Sequence, residues 1–133
     1  MANKKSKGNL FSEKISMFCA LADATIKENA AASEEITKLD KLTQDYLHML
    51  ELNHLNYKER AKIATKLSKC RQERRRAKDV ADITAPLTDF LQADKGKIAL
   101  NSLKEILGQT RKIERLMNIR SYTYKILNEN NIT

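Results

Sequence analysis

Apolar positions recur along this chain at helical spacing in three successive patterns. The first runs through Phe11, Ile15, Phe18, Leu21, Ala22 and Ile26, in the three- and four-residue steps that line one face of an α-helix. Ser12, with Glu13 behind it, is placed to cap that helix. The segment "KENAAASEE" follows without a large apolar residue. It reads either as continuous Ala-rich helix or as a short break capped by Ser33. A second line, Leu39, Leu42, Tyr46, Met49 and Asn53, keeps strict 3-4-3-4 spacing, which is the seam of a coiled coil. Asn53, His54 and Asn56 then weaken the helix. Asn56 with Glu59 three positions on forms a capping box, so a new helix begins near Tyr57.

That helix meets no Gly or Pro until Pro86. Unbroken to Ala85 it has about 29 residues and spans about 43 Å. A compact globule of this length is only about 36 Å across, so the molecule is expected to be elongated or to hide the overhang in an oligomer. Pro86 either kinks the helix or starts a short further piece, "PLTDFLQAD". The Lys95-Gly96 pair reads as a helix stop. A final helix carries Ala99, Leu103, Ile106, Thr110, Ile113 and Met117 at 4-3-4-3-4 spacing, and Leu100 and Leu107 widen the stripe. Gly108 within it either allows close helix contact or weakens the helix by about 1 kcal/mol relative to Ala. The tail "RSYTYKI" alternates Tyr122, Tyr124 and Ile126, as an extended segment docked on the bundle would.

The expected fold is therefore all-α: an elongated helical bundle or hairpin with coiled-coil-like packing. A basic, disordered N-terminus over 1–8 precedes a single helical domain over 9–133, with helices at about 11–53, 57–93 and 97–120. The seams in Leu39–Met49 and Ala99–Met117 carry more apolar surface than one thin basic helix can cover. A homo-oligomer follows, most simply a two-fold dimer.

Composition agrees with this pattern. Three Gly and one Pro in 133 residues are too few for the turns of an all-β fold, and the length suits one domain. Cys19 and Cys70 lie far apart without metal-ligand spacing, which points to a reduced, cytoplasmic protein. No run approaches the ~20 apolar residues of a membrane span. "NKKSKG" before "ISMFCALA" has the outline of a leader, but Glu13 and Lys14 sit against a very short apolar run, and an amphipathic helix is the better reading.

Charge changes the picture more. The net charge is +8. Between Lys58 and Lys78 stand ten Lys and Arg and two Glu, so that window equals the excess of the whole chain. A localised basic zone suits a polyanion or an acidic partner. On a helical projection Ile63, Leu67, Cys70, Ala77 and Ala81 share one stripe. Lys58, Lys62, Lys66, Lys69 and Arg76 flank it on one side, and Arg60, Arg71, Arg75 and Lys78 on the other. Arg74 falls within the stripe itself, where a carboxylate partner is expected, because an unpaired buried charge is costly. Three readings stay open: a solvated helix whose long stems cover apolar neighbours, salt-sensitive contact with phosphates, and an acidic protein surface. The candidate polyanion-binding residues are Lys66, Lys69, Arg71, Arg75, Arg76 and Lys78. Base readout is not expected. There is no helix-turn-helix pattern, Pro86 interrupts where a basic zipper would continue, and stacking platforms are lacking. The aromatic-basic cluster of Tyr122 and Tyr124 with Arg115, Arg120 and Lys125 is equally explained by tail docking.

Candidate chemistry is thin. Asp45-x-x-His48 and Glu51-x-x-His54 resemble the carboxylate-x-x-His pairs of di-iron bundles, but those come from different helices with extra Glu ligands. Here both lie on one helix, and His48 and His54 point about 240° apart. No Gly-rich phosphate loop, paired-Cys zinc pattern or nucleophile elbow occurs. The expectation is a non-enzymatic protein without metal or cofactor.

The order "LSKCRQERRRAKDVADITAPLTDFL", a helix, then "IRSYTYKIL" resembles small, largely uncharacterised helical proteins encoded by phages and prophages of Gram-positive bacteria. The Leu67–Lys78 "LSxxRxxRRxxK" pattern, Pro86-Leu87 with Phe90, and the Arg120-x-Tyr122 tail carry the resemblance, over roughly the last 75 residues. It implies a phage-like context, with the host cytoplasm as the location, in which small proteins bind host or phage nucleic-acid machinery, including defence systems. No functional residue is carried over from it. Two functions follow as expectations. One is a binding protein that contacts nucleic acid or a nucleic-acid-processing complex through its basic helix. The other is an anti-defence inhibitor or regulator of a host protein, acting purely by protein–protein contact.

Overall fold

In a computed structural model, which describes residues 10–119, the chain forms three helices and, among these residues, no strand. They are α1 (Phe11–Leu52), α2 (Tyr57–Gln92) and α3 (Asp94–Ile119). The expectations for Met1–Gly8 and for the tail from Arg120 onward lie outside the described residues.

The 42 residues of α1 span about 63 Å, well beyond the width of a compact globule of this length. The Ala-rich segment does not break. With no Gly or Pro and many strong helix formers, nothing in it competes with the helical backbone. α1 begins at Leu10, which has extended backbone and no side-chain cap. Ser12 is therefore inside the helix rather than its cap. Its backbone N–H donates to Glu114 Oε2 at 3.1 Å, so a carboxylate from α3 satisfies one of the donors left free at the first turn.

α2 starts where the capping box places it. Asn56 Oδ1 accepts from the Glu59 N–H at 2.8 Å. Glu59 reaches back to the Asn56 side-chain amide at 2.9 Å rather than to the backbone N–H of a standard box. The helix runs through Pro86 to Gln92. Pro86 has no N–H to give the Asp82 carbonyl, and its ring crowds that carbonyl. In the turn before it, α1 supplies a donor: Asn29 Nδ2 binds the Ala81 carbonyl at 3.1 Å and Thr84 Oγ1 at 3.0 Å.

Lys95-Gly96 is not a stop. The chain leaves helical geometry only at Ala93, with φ −76° and ψ 158°, and α3 begins at Asp94, three residues earlier than expected. Gly96 is buried in the first turn of α3. A Cβ there would overlap the Phe90 carbonyl and approach Leu91 Cα to 2.8 Å. This glycine serves close approach rather than termination.

α2 returns antiparallel to α1: Leu39 meets Cys70, and Asn29 meets Ala81 and Thr84. α3 also runs against α1, since Lys104 faces Asp23 and Glu114 faces Ser12. Leu107 joins Ile15 and Cys19 in the small core at this end, with Leu100 and Leu103 against it.

The buried lines are shifted from those the hydropathy pattern selects. In α1 they pass through Ser12, Ile15, Cys19, Ala22, Thr25, Ala32, Leu39 and Thr43, while Phe11, Phe18 and Leu21 are exposed. Small polar residues enter the interface because a helical Ser or Thr hydroxyl can bond its own backbone. Thr25 does so to Leu21 O and Thr43 to Leu39 O, each at 2.8 Å. Thr43 Oγ1 and Cys70 Sγ also lie 3.4 Å apart, and the thiol donates to Leu39 O at 3.4 Å. Both cysteines are buried free thiols. No helix among the described residues is long and apolar enough to cross a membrane.

Candidate polyanion interface

The basic residues lie on α2 because its apolar stripe is narrow. Ile63, Cys70 and Ala77 are buried against α1 and Leu67 is half-buried. Two of these four side chains are small, and every long cation of the segment except Arg74 lies on the flanks. α1 is the acidic partner, with eight Asp and Glu against four Lys and Arg, whereas α2 has ten Lys and Arg against five acids.

The two flanks differ. Asp40 of α1 reaches toward the flank that holds Arg71, Arg75 and Lys78. It accepts from Arg74 Nε at 2.5 Å and stands 3.8 Å from Arg71 Nη1. Lys78 pairs with Asp82 one turn on, at 3.1 Å. Arg74 is half-buried, its side chain 29% exposed, so the carboxylate its stripe position calls for is Asp40. Of the six candidate residues, Arg71 and Lys78 thus have carboxylates beside them.

The opposite flank holds Lys66, Lys69 and Arg76, with Lys58 and Lys62 in line. All five are exposed, and among the described residues none makes an ion pair within 4 Å. Lys62, Lys69 and Arg76 recur every seven residues, so the flank presents cations over about 21 Å of rod. Arg75 is exposed without an ion pair, but on the other side. The six candidates therefore do not form one surface. Three of them extend into a five-cation flank, while Arg71, Arg75 and Lys78 make a second, partly neutralised one. Lys58 and Lys62 were legible as flank members from their spacing. Asp40 was not, because only the pairing of α1 with α2 brings it there.

His48 and His54 are both exposed. Among the described residues no three His, Cys, Asp or Glu gather as a metal site requires. The groove lined by Thr37, Asp40, Lys41, Thr43, Gln44 and Arg71 holds charged groups of both signs and no nucleophile–base pair. Among the described residues the geometry is that of an all-α protein with one basic flank that has no ion-pair partner. Comparison with protein-family models, curated proteins and solved structures finds no match.

Proposed function

We propose that this protein is a non-enzymatic binder of nucleic acid, acting on the phosphate backbone through the flank Lys58, Lys62, Lys66, Lys69 and Arg76 of α2. The observation that carries the reading is the asymmetry of charge pairing. Asp40 and Asp82 attend one flank, while five exposed cations on the other have no carboxylate partner among the described residues. A rigid rod with unpaired cations displaces condensed counterions from a duplex and gains affinity without reading sequence.

Fluorescence anisotropy with a labelled duplex, repeated across a salt series, tests it. Affinity is expected to fall steeply with salt. Reversing Lys62, Lys69 and Arg76 to Glu should abolish most of the binding, and the log-log salt slope should shrink by about 0.9 for each phosphate no longer neutralised. Reversing Arg75 and Lys78 should matter much less. Equal sensitivity of the two flanks, or binding indifferent to salt, defeats the reading. If duplex binding is negligible while a protein partner is captured after nuclease treatment, the basic flank serves an acidic protein surface, as an inhibitor of a host or defence protein would.

A further inference from the structure

Among the described residues, one long face is largely apolar and uncovered, with the exposed Lys14 between Phe11 and Phe18. On α1 it holds Phe11, Phe18 and Leu21; on α3 it holds Ile106, Ile113 and Met117. α1 and α3 run antiparallel, and both sets are displaced in the same rotational sense from the buried line Ile15–Cys19 against Leu107. In an antiparallel pair, equal displacements fall on the same side. At the end where the three helices meet, Leu87 and Phe90 of α2 join the face, in a groove also lined by Phe18, Leu21, Leu100 and Leu103.

These eight side chains are between 38% and 66% exposed. At ~200 Å² for each, the face offers on the order of 800 Å² of apolar surface. The largest apolar patch of an ordinary monomer is roughly 300–600 Å². One partner in a stable complex contributes about 800 Å².

We propose that a second copy of this chain covers this face, forming a two-fold dimer in which α1 and α3 of each protomer pack on those of the other. Three features select this occupant. The area matches what a dimer needs. The exposed line Ala99, Ile106, Ile113 and Met117 steps by seven, seven and four without a charged residue, a seam that fits another helix of like spacing and offers nothing to a polyanion or an acidic peptide. The single chain is also poorly self-sufficient. No large side chain among the described residues is fully buried, and the principal buried cluster is Ile15, Cys19 and Leu107. A second copy is the partner every molecule meets as it is made. Phe90 continues the seven-residue step of Lys62, Lys69 and Arg76 on α2, so this face adjoins the basic flank and lies beyond its C-terminal end. The dimer proposal does not rest on what that flank binds.

Sedimentation of the full chain at about 1–50 µM, a range that spans common dimer affinities, is the test. A mass near 30 kDa is expected, twice the 15.2 kDa of one chain. Phe18→Glu and Ile113→Glu should each return it to a helical monomer by circular dichroism. Leu52→Glu, at the far end of α1, should leave the dimer intact. A wild-type monomer throughout that range overturns the proposal, whatever else covers the face, and so does a dimer that survives both glutamates. Should a glutamate variant unfold, the wild-type chain still decides. Its melting temperature must rise with protein concentration, and a concentration-independent melt overturns the proposal.

Discussion

Arg74 Nε lies 2.5 Å from Asp40 Oδ1, joining the centre of the basic helix to the acidic helix that packs on it. The pair sets the register of α1 on α2 beside the Leu39–Cys70 contact. It also draws Arg71 toward the same carboxylate. Both partners keep some contact with solvent, so the ion pair itself contributes little, about 0–1 kcal/mol. The Arg74 stem, lying along the helix interface, contributes packing as well. Arg74→Met should therefore stay within about 1 kcal/mol of wild type, since it keeps the stem. Arg74→Ala should cost more, about 1–2 kcal/mol. Urea denaturation of the two variants checks the order.

Asp40 restrains two arginines at once. Asp40→Asn should lower stability by no more than about 1 kcal/mol and leave duplex affinity and its salt slope nearly unchanged, because Arg71 lies on the flank opposite Lys62, Lys69 and Arg76. Anisotropy titrations check this: a slope steeper by ~0.9 would put the Arg71 flank at the phosphates instead.

Asn29 supports α2 just before Pro86. Asn29→Ala removes the donor to the Ala81 carbonyl and to Thr84 Oγ1, at an expected cost of about 1–2 kcal/mol. Asn29→Asp should be at least as harmful, since a carboxylate cannot donate to that carbonyl. Thermal melts of both variants test this.

The two described glycines should respond oppositely to a methyl group. Gly96→Ala forces backbone apart at the α2–α3 junction, and a loss of about 3 kcal/mol or more is expected. Gly108 has open space where a Cβ would stand. Gly108→Ala should stabilise α3 by up to about 1 kcal/mol. Chemical denaturation of the pair gives the contrast.

Much of the helical architecture was legible in the hydropathy pattern. The long α2, its start at the Asn56–Glu59 box and the thin stripe of Ile63, Cys70 and Ala77 follow from spacing and capping chemistry alone. What misled was chiefly local. Ser12 has a capping residue's chemistry, yet Glu114 from α3 satisfies its N–H. Gly96 has a helix terminator's chemistry, yet its missing side chain is used for close packing. Ile15 and Ala22 of the first apolar line and Leu103 of the last keep their places in the interface, whereas Phe11, Phe18, Ile106 and Ile113 lie one position off it. Phe18 is larger and more apolar than Cys19, and Ile106 is as large as Leu107, yet burial follows which side chains fit between helices.

By itself, the sequence determined three helices, their approximate limits and a basic segment whose excess equals the net charge of the chain. Those properties depend on neighbours within a few turns, through 3.6-residue periodicity, capping and local composition. The tertiary structure decided which cations are left without a carboxylate and which apolar side chains are left without cover. Asp40 meets Arg74 across 34 residues, and Leu107 meets Ile15 and Cys19 across a longer interval still. The register and rotation of one helix on another set both outcomes, because a turn of some 100° moves a side chain from interface to solvent. No local pattern in a single helix specifies that rotation.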